Sequence, residues 1–241
     1  MKLHFLKLNP DKTVVKLFKH KKSLITEFKL VDQISPDTVK VLGVSFDDGL
    51  KFKSFIKNKV QQCNFHLRNL YNMRASLDTQ TRILLVTNLI LTTVDYCNIV
   101  LLGSTDSALR PLRLIINKSL RFIYNVNYSD HITPYYTKSH FLPIRKRINY
   151  KASLVAFKIF NSQAPQVLID DFLKFTPTST MNLRDGSGRD KFMFSIDGSN
   201  LNSSRLTTLI KKQWNSLPIA IRKITTISTF KSKLKAFLFS L

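Results

Sequence analysis

At 241 residues the chain is long enough for one large domain or two small ones, and its 44% hydrophobic content suffices for a packed core. Its 38 Lys and Arg outnumber its 15 Asp and Glu by 23, more than solubility requires, which points to a polyanionic partner, nucleic acid first and an anionic membrane surface second. Only two cysteines, Cys63 and Cys97, occur, which excludes a disulfide scaffold and a Cys-rich zinc knuckle and implies buried thiols in a reducing compartment.

In chain order, residues 3–8 read as a helix end or a strand. Asn9-Pro10-Asp11 is a turn signal, and 13–18 reads as a strand. His20-Lys21-Lys22 forms a basic loop. Ser35-Pro36-Asp37 marks a further turn before a strand over 39–44, and Asp47-Asp48-Gly49 makes a tight turn after it. Gly43, without a Cβ, leaves room for close backbone approach. Such strands are too few for a sheet of their own, so residues 1–50 read as the edge of a larger sheet.

From Lys51 the period becomes helical. Phe52, Ile56, Val60, Cys63, Leu67 and Leu70 share one apolar face, with Lys53, Lys57 and Arg68 off it. Asp78 or Ser76 can cap a second helix, whose body at 83–100 is apolar nearly all round and is expected to be buried, ending at Gly103. A third helix at 107–124 carries Leu109, Leu112, Ile116, Leu120 and Ile123 on one face and Arg110, Arg113, Asn117 and Arg121 on another. Short links make an antiparallel bundle the economical arrangement over 51–128. Pro143 opens a fourth helix with Arg145, Lys146 and Arg147 in its first turn. Cations there oppose the helix dipole, which favours a ligand as their purpose. Residues 129–174 thus continue the helical region, 175–204 form a polar loop or weak hairpin, and 205–241 hold terminal helices with Trp214 and with Phe230, Leu234, Phe237 and Leu238 on one face. The expected class is mostly α with a small β portion.

The chemistry-bearing residues are few. Asp47-Asp48 is a turn rather than a metal pair, because no third carboxylate is near and Asp-Gly is a common turn dipeptide. The five histidines lack metal-binding spacing, and no nucleophile motif or phosphate loop stands out. What remains is a set of cations suited to phosphate: Lys51, Lys53, Lys57 and Lys59, then Arg110, Arg113 and Arg121, then Arg145, Lys146 and Arg147. Phe18, Tyr71, Tyr124 and Phe157 are possible base-stacking groups, although helical spacing favours core packing. The apolar run 83–91 is too short to span a bilayer, and no signal-peptide core precedes the first helix, so an intracellular protein of nucleus or cytoplasm, not secreted, is expected.

Six stretches together resemble the C-terminal part of reverse transcriptases of LINE-type, non-LTR retrotransposons of the jockey or CR1-like kind. They are LKLNPDKT at 6–13, VLGVSFDDGLKF at 41–52, LILTTVDYCNIV at 89–100, LRPLRLIINKSLRFI at 109–123, FLPIRKRINYKASLVAFKIFN at 141–161 and QWNSLPIAIRK at 213–223. The resemblance implies a palm edge over 1–50, with Lys12 as the motif D lysine and Gly43 in the primer grip. A thumb-like bundle over 51–128 and C-terminal helices would follow. It implies an RNA–DNA template–primer as partner, held by Lys12, Gly43, Lys51, Lys53, Lys57, Arg68, Arg110, Arg113, Arg121, Arg145, Lys146 and Arg147. The family's Ala-Asp-Asp box would lie upstream of residue 1. No cofactor is therefore expected in this chain, although the full-length enzyme would need Mg2+, and polymerisation by this chain alone is not expected. The other readings are a stand-alone basic nucleic-acid-binding module, a membrane-surface protein acting through 228–239, and a non-functional relic.

Overall fold

The computed structural model describes residues 37–173, 193–194, 196 and 206–241. The elements expected at 3–18, with Lys12 and Phe18, the basic loop at 20–22 and nearly all of the polar stretch 175–204 lie outside the described residues. The described residues are mostly helical, with one small antiparallel sheet of two strands. The chain divides into two compact units, residues 1–58 and 59–241.

In the first unit β1 (Thr38–Val41) pairs with β2 (Val44–Asp47), Val41 opposite Val44 and Thr38 opposite Asp47. The single strand expected over 39–44 is therefore a hairpin. The chain reverses at Leu42-Gly43, both at positive φ (46° and 81°), the pattern of a tight two-residue connection in which glycine's freedom is used. After β2, Asp47 closes the next turn itself. Its carboxylate accepts from the backbone N–H of Lys51 (2.6 Å) and Lys53 (3.2 Å), and Leu50 N–H donates to its carbonyl. Asp47 thus works as a cap at the start of α1 (Lys53–Asn72).

In the second unit, α1 buries Cys63, Leu67 and Leu70, as its periodicity predicts, while Val60 is half-buried. Asp78 is the cap of α2 (Thr79–Leu85), accepting from the N–H of Gln80 and Thr81. The helix then widens over Val86–Leu91 before closing as α3 (Thr92–Asp95). Val86, Ile90 and Val94 are buried at steps of four, which the wide turn keeps in line where 3.6 residues per turn would drift. Thr87, Thr92 and Thr93 return their hydroxyls to the carbonyls four residues back. The all-round burial expected from composition is not what the fold adopts: Leu84, Thr87, Asn88 and Leu89 are exposed. Nor does the helix run to 100. It ends at Asp95, Cys97 turns left-handed (φ 49°), and a short tight helical turn over Asn98–Leu101 leads on.

Thr105 caps α4 (Asp106–Tyr124) by accepting from Ala108 N–H, and Asn125 ends it in the left-handed conformation. Leu109, Leu112, Ile116, Leu120 and Ile123 are all buried, the face the sequence predicts. A short α5 (Thr133–Lys138) precedes α6 (Ile144–Phe160), which starts directly after Pro143. α6 packs on α4, α7 (Gln166–Leu173), α8 (Leu206–Asn215) and α10 (Ile227–Ser240), and α9 (Ile219–Arg222) packs on α10. Trp214 is fully buried and stacks on Phe160 (centroids 5.4 Å apart), and Phe157 stacks on Phe230 (4.4 Å). Phe157 is therefore core, not a base-stacking surface.

Candidate nucleic-acid interface

The basic turn at the start of α6 is the first test of which cations face outward. Arg147 makes a two-pronged ion pair with Asp95 at the end of α3: Nε donates to Oδ1 at 2.8 Å and Nη2 to Oδ2 at 2.5 Å. Both side chains are largely buried, at 14% and 20% exposure. Arg145 grips Asp106 in the first turn of α4 with Nε (3.1 Å) and Nη2 (2.7 Å), and donates to the carbonyls of Leu102 and Ser104. One turn of α6 thus holds both ends of the connector between α3 and α4. This corrects the reading of that turn as built for a ligand. The carboxylates that answer it lie about forty to fifty residues away, where no local pattern shows them. Lys146 between them is half-buried.

Other cations close helix ends. Lys59, counted among the phosphate-facing lysines from sequence, is 4% exposed and corrects that reading. Its ammonium donates to the carbonyls of Thr93 and, at 2.7 Å, Tyr96, and lies 5.5 Å from the Tyr96 ring. These carbonyls are orphaned where α3 stops, so a cation is favourable there. Burial pushes the ammonium of Lys59 down to about 8, against the opposing pull of Cys63, Cys97 and Asp95. Burial likewise pushes the Cys63 thiol up to about 11. Arg74 donates to the carbonyls of Arg121 and Phe122, and Arg82 to that of Ile123, together closing the C-terminal end of α4. Arg121 turns back onto the loop beyond that end, donating to the carbonyls of Asn127 (3.2 Å), Tyr128 (2.8 Å) and Asp130 (3.1 Å). Among the residues expected to meet phosphate, Arg121, Arg145 and Arg147 therefore have internal partners.

Lys59 is buried, Lys146 half-buried and Lys12 outside the described residues; the remaining cations of the set are exposed. Arg110 and Arg113 are exposed on one side of α4, one turn apart, with no hydrogen bond or ion pair among the described residues. Below them on the same stripe, Asn117 accepts from the Tyr136 hydroxyl at 2.6 Å. Burial pushes Tyr136 up to about 12, with Arg113 and Arg147 pulling the other way. Arg68 on α1 is exposed. In the first unit Lys51, Lys53 and Lys57 are exposed, and Gly43 sits at the exposed hairpin turn. Sequence reasoning did not single out Arg74, Arg82, Asp95 or Asp106. Only Asp106 carried a local signal, an acid in a helix first turn.

Among the described residues no three of His, Cys, Asp and Glu gather as a metal site. No helix among them is long and apolar enough to cross a membrane. No family model, no curated protein and no solved structure matches this chain.

Proposed function

We propose that the chain binds the sugar–phosphate backbone of nucleic acid, as the template–primer-holding part of a reverse transcriptase of the LINE type. The carrying observation is Arg110 and Arg113, two guanidiniums displayed on a rigid helix with no partner among the described residues, in a chain of net charge +23. Contrast sharpens it. This protein pairs or buries Lys59, Arg145 and Arg147, so the cations left outward are those that structure does not consume. Lys51, Lys53 and Lys57 add charge on the other unit and Arg68 on α1. Backbone recognition of this kind positions a duplex without reading its sequence.

Chemistry on the nucleic acid is not part of the proposal. The test is fluorescence anisotropy of the whole chain with a labelled RNA–DNA hybrid, titrated with salt. Affinity should fall steeply as salt rises. Replacing Lys53, Lys57, Arg110 and Arg113 with alanine should flatten the slope by about 0.9 for each phosphate that is no longer neutralised. A folded protein that binds the hybrid with no salt dependence, or not at all, overturns the reading.

A further inference from the structure

Tyrosines and cations collect where α4 ends. Tyr128, in the loop after Asn125, is 91% exposed, the most exposed aromatic ring among the described residues. The guanidinium of Arg121 lies 5.4 Å from its centroid, and the same group is pinned by the carbonyls of Asn127, Tyr128 and Asp130. The cation beside the ring is thus fixed before any ligand arrives. The Asp130 carboxylate is spent within the loop, accepting from the Asn127 N–H and the Ser129 hydroxyl.

Neighbouring rings extend the surface. On one side Tyr71, 42% exposed, meets Phe122 edge-on at 5.2 Å, with the Arg74 guanidinium 5.5 Å from its centroid. Arg74 donates to the Arg121 carbonyl, which fixes the two cation–ring pairs side by side. Burial raises the Tyr71 hydroxyl, against the opposing pull of Arg74 and Arg121. On the other side Tyr124, one turn beyond Arg121, lies 5.1 Å from Tyr135, with the Lys138 ammonium 4.9 Å from its ring. Lys138 is exposed.

We propose that the C-terminal end of α4, with Tyr128 as its main ring, is a platform on which unpaired bases of a single strand stack while Lys138 meets the adjoining phosphate. This rests on the nucleic-acid reading above and adds the class of strand. Base pairs in a duplex hide their faces from a side chain, whereas unpaired bases offer theirs. Tyrosine suits the task, because a rigid ring loses little freedom on binding. The cations already seated against these rings argue against a cationic guest, which they would repel.

The test uses the whole chain, a labelled oligo(dT), a sugar–phosphate strand of equal length without bases, and the RNA–DNA hybrid. Tyr128→Ala touches an exposed ring, so its urea midpoint should match wild type. It should weaken oligo(dT) about tenfold, the scale of one base stack, and leave hybrid affinity within about twofold. Tyr128→Phe should restore oligo(dT) binding, and the baseless strand should bind wild type no better than oligo(dT) binds Tyr128→Ala. Unchanged oligo(dT) binding in Tyr128→Ala, equal binding of the baseless strand, or equal weakening on strand and hybrid would overturn the platform. If the hybrid still binds in a salt-dependent way, the backbone reading survives that failure. If neither strand nor hybrid binds, both readings fall.

Discussion

Arg145 and Arg147 at the start of α6, and Arg110 and Arg113 in α4, are alike along the chain: close-spaced arginines on basic helices. In the fold they diverge. The α6 pair reaches Asp106 and Asp95 and ties down the connector between α3 and α4, whereas the α4 pair is exposed and makes no hydrogen bond or ion pair among the described residues. Lys57 and Lys59 repeat the contrast within α1, one exposed and the other buried beneath the end of α3. Among the described residues the cations therefore form two populations. One satisfies carbonyls and carboxylates that folding would otherwise leave unpaired. The other is displayed, and it is the one on which the proposed function rests.

The sharpest break of the comparison is Arg147→Met. It leaves Asp95 largely buried without its counter-charge, so the destabilisation should be about 3 kcal/mol in urea unfolding. Asp95→Leu combined with Arg147→Met should recover most of that stability, because removing both charges removes the penalty. Affinity for the RNA–DNA hybrid, measured on the folded fraction, should stay put. A fall in affinity with unchanged stability would show that Arg147 meets phosphate after all.

Lys59 gives a pH-dependent version of the same idea. Its ammonium titrates near 8 in the fold against about 10.5 when unfolded. The folded value is depressed, so the unfolded chain binds more protons between the two. Lys59's contribution to stability is then complete above about 10.5 and is lost as pH falls through about 8. The stability difference between wild type and Lys59→Met should shift in favour of wild type from pH 7 to pH 10. Cys63, raised to about 11 by burial against the pull of Lys59, adds a term of opposite sign only above its ordinary value near 9, so the part of the comparison from pH 7 to pH 9 reports Lys59. A flat difference across that window would mean that the lysine stays charged, held by the two carbonyls.

Arg145→Met should cost less, about 1 kcal/mol, since Asp106 is 85% exposed and water takes over its carboxylate. What remains is the missing donor to the Leu102 and Ser104 carbonyls, which hydrogen exchange at 102–106 should register as faster opening. Together these variants map how firmly α6 holds the connector.

Much of this was legible before the fold and some was not, for definite reasons. The apolar faces of α1 and α4 follow from period alone: the expected residues are buried except Val60, while Phe55, Lys59, Ile115, Ser119 and Phe122 are buried beside them. Turn chemistry at Asp47 was equally local. The hairpin at Leu42-Gly43 escaped because leucine at positive φ contradicts the usual Asn-Gly signal. The early end of α3 escaped because the group that satisfies the carbonyls left there, the Lys59 ammonium, comes from more than thirty residues upstream. For the same reason Arg145 and Arg147 looked like ligand-binding cations. A charge pattern read along one helix cannot show a carboxylate delivered by another. Tyr124 looked like core and is half-exposed beside Tyr135, while Tyr128 carried no periodic signal because it lies in a loop.

The smallest expected effect separates the two populations most cleanly, because it keeps every charge. Arginine and lysine differ in geometry: the planar fork engages a carboxylate through two parallel bonds, and an ammonium is a point charge. Arg110→Lys with Arg113→Lys should therefore change stability by less than about 0.5 kcal/mol, as expected for exposed positions. It should also preserve the salt slope with the hybrid, since each neutralised phosphate releases counterions whichever cation meets it. Arg147→Lys keeps the charge yet gives up the two-pronged grip on Asp95, and its urea midpoint should drop measurably. If the α4 exchange lowers stability as much as the α6 exchange, Arg110 and Arg113 are structural too. The division between consumed and displayed charge would then fail at the point on which the proposed function depends.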